Sequence, residues 1–300
     1  MDMIQNKCCR HGASLRRRRR RRRKILRSII FSCSIIAVAV FVAVGSSMIR
    51  SGDGRTNRYD VEAGNNTYDN AVIENSKISE KNKIQNNQSM LDDIMNSTQY
   101  PKQLKDLALK NEEALEFVYD YPAEHVKEHT IDLTEEASMD SVPLFVQWDK
   151  RWGYEKYSGN FFAASGCGPT TLSMVVVYLT HNREASPIAV AKYSKEAGYS
   201  VDGSGSSWTL ISEGCRHYGV KAKTVALDES RMKAELDAGH PIVINVGPGD
   251  FTDTGHFMVI TGYDDEGFSI NDPNSIEKSG KRWLFKNISS QIRAVWSMYV

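Results

Sequence analysis

The sequence predicts an α+β domain, with N-terminal helices packed on a largely antiparallel sheet, preceded by a single transmembrane helix. Three observations support this fold class. An uncharged apolar stretch lies between Arg27 and Arg50, apolar residues recur at helical spacing before Gly219, and short β-branched and aromatic runs follow it. Helices followed by a series of strands are typical of an α+β domain.

The N-terminus is strongly basic, whereas the rest of the chain is acidic. Residues 1–27 contain twelve basic residues and one acidic residue, while the remainder carries a net charge of −10. Residues 28–49 are uncharged and long enough to cross a bilayer as a helix, which needs about twenty apolar residues. Because flanking arginines hold their end in the cytoplasm, we expect a basic cytoplasmic segment at 1–27, a transmembrane signal anchor at 28–49, and the remaining chain outside the cell.

Two other interpretations of this end remain. The basic block alone is also typical of a nucleic-acid or nuclear-targeting patch, but the adjoining apolar span favours a membrane, and no nucleic-acid partner is expected. A cleaved signal peptide is the second alternative, because Ala43, Val44 and Gly45 resemble a small-residue cleavage site.

The chain between the anchor and the folded domain has two parts. Residues 50–98 are rich in Asn, Ser and charged residues and poor in aromatic residues, which predicts an extended polar stalk. Residues 99–140 are predicted to be a helical lead-in, because apolar residues from Leu104 to Val118 recur at helical spacing. Amphipathic helices need an apolar surface to pack on, and the domain at 141–300 is the nearest candidate.

A histidine pattern in the lead-in does not predict a metal site. Residues 125–129 read His-Val-Lys-Glu-His, which matches the inverted zinc-protease pattern. That chemistry needs both histidines on a buried helix and a third ligand from another element, whereas Pro122 precedes the pattern and polar residues surround it. We therefore expect no metal and no cofactor.

A cysteine at the start of a helix is predicted by residues 165–171, which read Ser-Gly-Cys-Gly-Pro-Thr-Thr before an apolar run. Proline favours the first helical position, so we expect the helix to begin at Pro169. The positive end of the helix then stabilises a Cys167 thiolate, and Gly166 and Gly168 allow close approach of a substrate. A buried structural cysteine is the alternative that this pattern alone leaves open.

Two further helical patterns follow, at residues 187–197 and 208–218, separated by a Gly- and Ser-rich loop at 198–207. The second pattern stops at Gly219, a residue typical of helix ends. It carries Cys215, which is expected in the core. An extracellular setting also permits a disulfide between Cys215 and Cys167, which would inactivate the thiol.

Beyond the last helical pattern the sequence changes to short strands separated by Gly, Asp and Asn turns. The predicted strands are residues 220–225, 241–246, 256–263, 268–271 and 294–300, with a short helix at 228–238. A hairpin through the turn at 264–266 places the start of one strand beside the end of the next, so His256 and Asp272 become neighbours. A thiol near an imidazole that a carboxylate orients is the constellation required for nucleophilic catalysis.

Four motifs in this order resemble the papain-like cysteine peptidases related to the bacteriocin-processing peptidases, and among these the stand-alone C39-like branch. The motifs are Gln147-Trp148-Asp149 with Arg151-Trp152-Gly153, Gly166-Cys167-Gly168-Pro169-Thr170, Gly255-His256-Phe257 and Asn271-Asp272-Pro273-Asn274. The resemblance covers residues 100–300. It implies a papain-like fold, with Cys167 as nucleophile, His256 as general base and acid, and Asp272 as the residue that orients the imidazole. Asn271 is the alternative for that third role, because a register shift of one residue exchanges the two.

The sequence departs from the family pattern in two places. Papain-like enzymes carry an oxyanion-hole glutamine a few residues before the cysteine, but residues 161–166 contain none. The nearest glutamine is Gln147, and we assign it this role as a hypothesis, with the backbone N–H of Cys167 as the second donor. Transporter-linked members have a six-helix membrane domain and an ATP-binding cassette, whereas this chain has one predicted span and lacks a phosphate-binding loop motif.

The sequence therefore predicts a membrane-anchored extracellular cysteine peptidase that hydrolyses peptide bonds in a peptide or protein substrate. The candidate substrate-binding residues are Gly166, Gly168, Trp208 and Gly255. A cell-wall peptide endopeptidase of the same fold and an inactive peptide-binding module are the alternatives. The sequence does not indicate an oligomeric state.

Overall fold

The computed structural model describes the backbone of residues 65–300 and the side chains of residues 79–300. The predicted cytoplasmic segment and transmembrane anchor, residues 1–49, lie outside the described residues. Among the residues that are described, no helix is both long enough and apolar enough to cross a membrane. Residues Ile73–Val300 form one compact unit.

The polar segment before the lead-in is helical where it is described. Helix α1 spans Asn65–Asn96, so the expectation of an extended stalk is wrong over these residues. Met90, Leu91 and Ile94 recur at helical spacing in its last turns, and Ile94 is fully buried in an apolar cluster with the lead-in. These contacts stabilise the end of a helix whose polar composition alone does not favour folding.

The lead-in is a series of short helices that packs on the following domain. Its elements are α2 at Lys102–Lys110, a 3-10 turn at Glu112–Ala114, α3 at Leu115–Tyr119, α4 at Tyr121–Glu124 and α5 at Thr134–Ser138. The apolar residues from α2 to α4 pack with Phe161 and Ala163, which lie just before Cys167 in the chain, whereas Ala137 of α5 packs in the cluster that contains the helix at Cys167–Thr180. The prediction that these amphipathic helices pack on the following domain is confirmed.

The first half of the main domain surrounds one buried helix. Its elements are β1 at Lys156–Tyr157, β2 at Asn160–Phe161, α6 at Phe162–Ser165, α7 at Cys167–Thr180, α8 at Pro187–Glu196, β3 at Ser200–Val201, β4 at Gly205–Ser206, α9 at Thr209–Ser212 and a 3-10 helix at Gly214–Tyr218. Helix α7 is buried at every position from Gly168 to Val177. A helix that is apolar on all sides has to be covered on all sides.

Two predicted elements of this half differ from the observed ones. The helix predicted at residues 208–218 is interrupted at Glu213, whose φ of −128° is not helical, and continues as a 3-10 helix. It stops at Gly219, where a φ of 75° favours glycine. The predicted loop at 198–207 contains the small β3–β4 hairpin. The helix predicted at 187–197 is confirmed as α8.

The second half is a six-stranded antiparallel sheet. Its elements are β5 at Lys221–Thr224, α10 at Glu229–Asp237, β6 at Ile242–Val246, β7 at His256–Asp264, β8 at Gly267–Asn271, α11 at Ile276–Ser279, β9 at Arg282–Trp283, α12 at Phe285–Ile288, a 3-10 turn at Ser289–Gln291 and β10 at Ile292–Tyr299. The strand order is β5-β10-β6-β7-β8-β9. The five strands and the helix predicted from the sequence are confirmed, whereas the two-residue edge strand β9 was not predicted.

The sheet separates two apolar layers. On one face, Val243, Phe257 and Val259 belong to the cluster that contains α7, and the side chains of the opposite face pack with α10 and α12. Strand β6 is buried at all five positions because both of its faces are covered. Thr171 Oγ1 donates to Phe257 O at 3.0 Å. This bond joins the first turns of α7 to the start of β7.

Candidate active site

Cys167 is the first residue of the buried helix α7. Gly166 is the N-cap residue, and its carbonyl oxygen accepts the first intrahelical hydrogen bond, from Thr170 N at 3.0 Å. The helix therefore begins two residues before the predicted start, and Pro169 lies within the first turn, where its missing N–H breaks no intrahelical bond. The thiol lies at the positive end of a helix of 14 residues.

The two glycines beside Cys167 are explained by packing. A Cβ atom at Gly166 would lie 2.6 Å from the ring of Phe162, and one at Gly168 would lie 2.6 Å from Ser206 Oγ. Both glycines are buried and lie outside the lining of the cavities next to Cys167. The structure therefore does not bring these two predicted substrate-binding residues into the cleft.

His256 and Asp272 lie side by side, as the predicted hairpin requires. Strands β7 and β8 are joined by a tight turn, so the chain that leaves β8 passes the beginning of β7. His256 Nε2 lies 2.7 Å from Asp272 Oδ1, and the two residues are only 6% and 1% exposed. Asp272 Oδ1 also accepts from Asn274 N at 2.8 Å, whereas Oδ2 has no hydrogen-bond partner among the described residues.

A β-bulge decides which residue after β8 shares the face of His256. Near the turn the strands pair in a register that, if continued, would put Asn271 opposite Ile260. Thr261 is an extra residue of β7, and beyond it Ile260 pairs with Ile270 instead. Because side chains alternate between the two faces of a strand, this shift of one residue exchanges the faces of Asn271 and its successor.

Asp272 therefore lies on the face of His256, and Asn271 points to the opposite face. Asn271 Nδ2 donates to the carbonyl oxygens of Val142 and Pro143, at 3.1 and 3.0 Å. The side-chain amide of Asn271 therefore binds the backbone at the start of the domain, and it does not bind the imidazole of His256. Of the two residues that the sequence left open, Asp272 is the one in contact with His256.

Cys167 and His256 line the same cavity, and the imidazole is the charged group that acts on the thiol. Since Nε2 of this ring is engaged by Asp272, Nδ1 is the nitrogen that remains for the sulfur. The backbone N–H groups of Phe257 and Gly168 also act on the thiol, and both favour its anionic form.

Opposing effects set the pKa values of this pair. Burial raises the pKa of the Cys167 thiol, but the neighbouring imidazole of His256 outweighs it, so the pKa lies below its ordinary value. Burial lowers the pKa of His256, but the Asp272 carboxylate outweighs it, so this pKa is raised. The arrangement favours a thiolate beside an imidazolium over the neutral pair.

Gln147 lies at the site despite its distance from Cys167 in the sequence. Its backbone N donates to Pro273 O at 2.7 Å, and its side-chain Nε2 donates to Ala163 O at 2.7 Å. The side chain is buried and lines a cavity shared with Cys167 and His256. An amide nitrogen carries two protons, so the second N–H of Nε2 remains after the bond to Ala163.

Two cavities meet at Cys167 and share part of their lining, including Thr254 and Gly255. The first measures approximately 700 Å³ and is lined by the β3–β4 hairpin and by Trp208, which is 48% exposed. The second measures approximately 500 Å³ and is lined by Gln147, His256 and the loop at residues 249–255. Trp208 and Gly255, two of the predicted substrate-binding residues, therefore line a cleft next to the thiol.

Helix α2 forms part of this cleft, a position that its sequence pattern did not predict. Gln103, Asp106 and Lys110 lie on one face of α2 and line the second cavity together with the loop at 249–255. Their spacing of three and four residues indicates a common helical face. The sequence predicted an amphipathic helix here, but its polar face was given no role.

Cys167 and Cys215 are separate free thiols. The structure therefore does not contain the disulfide that the sequence left open as an alternative. Cys215 is fully buried in the 3-10 helix at Gly214–Tyr218, and burial raises its pKa to about 11. Burial without a strong cationic partner favours the neutral thiol.

The histidine pattern at residues 125–129 lies beyond the end of a helix. Helix α4 ends at Glu124, and the ring of His125 stacks on Tyr121 at 4.1 Å. His129 Nε2 lies 3.6 Å from the Glu124 carboxylate. Within residues 79–300, where side chains are described, no group of three or more His, Cys, Asp or Glu residues could hold a metal ion.

Residues 139–300, just over half of the chain, match the family model described as the Peptidase_C39 like family. The chain is also similar to a solved structure of the peptidase domain of ComA, a bifunctional ABC transporter of Streptococcus involved in quorum sensing. That match has 19% identity and a TM-score of 0.37, and covers 45% of this chain and 90% of the ComA chain. A second solved structure, described as a C39-like peptidase from Bacillus anthracis, matches with 18% identity and a TM-score of 0.33, over 56% of this chain and 97% of that one. No curated protein matches the chain.

Proposed function

The chain belongs to the C39-like peptidase family, and from this membership we propose that it hydrolyses peptide bonds with Cys167 as nucleophile. One observation carries the proposal. Cys167 shares a cavity with His256, whose Nε2 lies 2.7 Å from the buried Asp272 carboxylate. A thiol activated by an oriented imidazole is the arrangement that acyl transfer to sulfur requires.

In the proposed first half-reaction, the Cys167 thiolate attacks the carbonyl carbon of the scissile peptide bond. The carbonyl oxygen takes up the negative charge and accepts hydrogen bonds from the backbone N–H of Cys167 and from Gln147 Nε2. When the tetrahedral intermediate collapses, the C–N bond breaks and His256 gives its proton to the departing amine. The acyl group remains on sulfur as a thioester.

In the second half-reaction, water hydrolyses the thioester. Neutral His256 removes a proton from the water, the resulting hydroxide adds to the acyl carbon, and the carbon–sulfur bond breaks. The Cys167 thiolate and the imidazolium are then restored. Asp272 holds the Nε2–H of the ring in both half-reactions, which keeps Nδ1 directed at the sulfur and stabilises the imidazolium.

The cleft supports a peptide as the substrate. Cavities of approximately 700 and 500 Å³ meet at Cys167, so residues on both sides of a scissile bond would have room. Trp208 offers an exposed aromatic surface in the first cavity, and Gly255 lets a backbone approach closely between the two. Such a site suits an extended chain better than a small molecule.

Hydrolysis is tested with the full-length protein purified in detergent. We expect it to cleave members of a peptide library or an unfolded protein. Cys167→Ala should lower this activity at least about 10⁴-fold, whereas Cys215→Ala, the matched control, should retain it. Cleavage that persists in Cys167→Ala would overturn the proposal.

The same assay distinguishes the two alternatives. Hydrolysis of purified cell-wall peptide without cleavage of the unfolded protein would identify a wall endopeptidase. Peptide binding by the wild-type protein without turnover would identify a binding module, because a constellation of this kind on a fold does not by itself guarantee activity.

We further propose that the peptidase domain is extracellular and anchored by residues 28–49. The uncharged length of this segment and the arginines before it support that topology. A protease added to intact cells should digest the domain at 141–300 and leave the N-terminal segment protected. If the domain were protected in intact cells and digested only after lysis, the proposed orientation would be wrong.

A further inference from the structure

The loop that follows β8 holds Asp272 through few contacts of its own. Asp272 Oδ1 binds His256 and Asn274 N, and Oδ2 has no partner among the described residues. The backbone N of Asp272 donates to Ser279 Oγ at 2.9 Å. The orientation of the carboxylate therefore depends on the path of residues 272–279.

Glu113, from the 3-10 turn of the lead-in, binds this loop through both carboxylate oxygens. Oε1 accepts from the hydroxyl of Ser275. Oε2 accepts from the backbone N–H of Ile276 at 2.7 Å and of Glu277 at 3.1 Å. One carboxylate thus holds three successive residues of the loop, and hydrogen bonds to an ionised acceptor are the stronger kind.

Asn111 reinforces the same connection. Its Nδ2 donates to the backbone O of Asn274 at 2.9 Å, and Trp148 Nε1 donates to the same oxygen at 3.3 Å. Asn111 Oδ1 accepts from Glu113 N at 3.0 Å. The two lead-in side chains are therefore fixed relative to each other as well as to the loop.

These contacts come from outside the region that defines the family. The family model begins at residue 139, and the partners Asn111 and Asn274 are 163 residues apart in the sequence. The lead-in is thus bound to the loop that carries Asp272 and also lines the cleft through α2.

We propose that Glu113 is a positioning residue that keeps Asp272 against His256, so that the lead-in is a functional part of the active site. This inference rests on the proposed function, because the orientation of Asp272 affects a reaction rate only if Cys167 and His256 react. An amide in place of the Glu113 carboxylate keeps one acceptor oxygen, loses the negative charge and turns a donor toward the loop, so residues 275–277 are bound less strongly and the loop holds Asp272 less firmly. The imidazolium, and with it the Cys167 thiolate, is then less stabilised.

Other charged groups surround Glu113 in a cavity of approximately 900 Å³, namely Lys83, Lys110, Glu112, Glu116, Asp120, Glu277 and Lys278. Glu112 accepts from Asn87, and Glu277 pairs with Lys281. Within residues 79–300, the Glu116 carboxylate accepts no hydrogen bond from residues 272–279. Glu116→Gln is therefore the matched control, since it removes a carboxylate from the same cavity.

The test compares Glu113→Gln with Glu116→Gln in the full-length protein. The first readout is the pH dependence of Cys167 alkylation by iodoacetamide, which reports the thiolate and needs no peptide. We expect Glu113→Gln to move the Cys167 profile to higher pH, in the same direction as Asp272→Asn, while Glu116→Gln follows the wild type. With a peptide substrate, Glu113→Gln should lower kcat about threefold at unchanged KM, less than Asp272→Asn does, because it displaces Asp272 without removing its charge.

A double variant decides whether Glu113 acts through Asp272. In the Asp272→Asn background, Glu113→Gln should have little further effect, because coupled residues are not additive. Fully additive effects, or a lower melting temperature with unchanged alkylation and pH profiles, would overturn the inference.

If Glu113→Gln does not fold, Ser275→Ala removes one of the three contacts and should give a smaller shift in the same direction. Should the wild type cleave no peptide, the alkylation profiles still decide the positioning role, and the proposed function alone fails.

Discussion

Cys167 and Cys215 lie in the same apolar cluster, yet their pKa values move in opposite directions. Burial raises the pKa of both thiols. At Cys215 nothing outweighs burial, and the pKa rises to about 11. At Cys167 a charged imidazole and the first turn of α7 stabilise the thiolate, so the pKa falls.

The difference teaches that the neighbours of a cysteine, rather than its burial alone, decide in which direction its pKa moves. His256 is itself buried, and it holds a proton because Asp272 lies 2.7 Å away. The groups that lower the pKa of Cys167 thus include two residues that lie 89 and 105 positions later in the chain. Three predictions test this comparison.

The largest expected effect is the difference in reactivity between the two thiols. At pH 6, iodoacetamide should modify Cys167 at least about 100-fold faster than Cys215, since the thiolate is the reactive form. Mass spectrometry of the modified peptides also separates Cys8, Cys9 and Cys33. The rate at Cys215 should rise steeply only toward pH 11, which distinguishes ionisation from limited access. Equal alkylation rates of Cys167 and Cys215, with equal pH profiles, would contradict the difference between the two thiols.

A second prediction separates activation of the thiol from stabilisation of the oxyanion. Gln147→Ala should lower kcat about 100-fold, as loss of one oxyanion donor typically does, but should leave the alkylation rate of Cys167 unchanged. Gln88→Ala, an exposed glutamine of α1 that bonds to Asp92, is the control and should behave as the wild type. Undiminished hydrolysis in Gln147→Ala would remove this residue from the oxyanion site.

The smallest effect is expected for Asp272→Asn, which makes the surroundings of Cys167 more like those of Cys215. An asparagine oxygen still accepts from His256 Nε2, so we expect kcat to fall only about tenfold. Because Asp272 raises the pKa of His256, its loss should move the alkaline limb of the pH–rate profile to lower pH. The imidazolium would then lose its proton at a lower pH.

Asn271→Ala is the matched control for this variant. It loses the two bonds to the carbonyls of Val142 and Pro143, but it should leave the alkaline limb unchanged. A shift of that limb in Asn271→Ala, with none in Asp272→Asn, would contradict the assignment of Asp272 as the partner of His256.

Much of the fold could be predicted because its elements have strong local patterns. Strands β6, β7, β8 and β10 contain β-branched and aromatic residues between turn residues, and α8 and α10 have capping residues at their starts. Elements that depend on distant contacts were missed or misread. Helix α1 is stabilised where Ile94 enters an apolar cluster, and β9 is only two residues long.

The residues of the candidate site divide in the same way, into those that local patterns predict and those that depend on distant contacts. Cys167 could be predicted from one helix start, and the proximity of His256 and Asp272 from one hairpin, since each is a local feature. Gln147 was only a hypothesis, because it reaches the site through Ala163 and Pro273, which lie far from it in the sequence. The glycines beside Cys167 were misread as substrate contacts, since packing partners such as Ser206 belong to other elements.

By itself the sequence determined the α+β class, the presence of a helix that begins close to Cys167, and the hairpin of β7 and β8. Only the tertiary structure decided that Asp272, and not Asn271, faces His256. The turn alone predicts the other register, and the extra residue Thr261 shifts it by one. Glu113 likewise meets the loop after Asp272 only through packing of the lead-in. Local patterns specify which elements form, whereas register shifts and contacts between distant segments depend on how those elements pack.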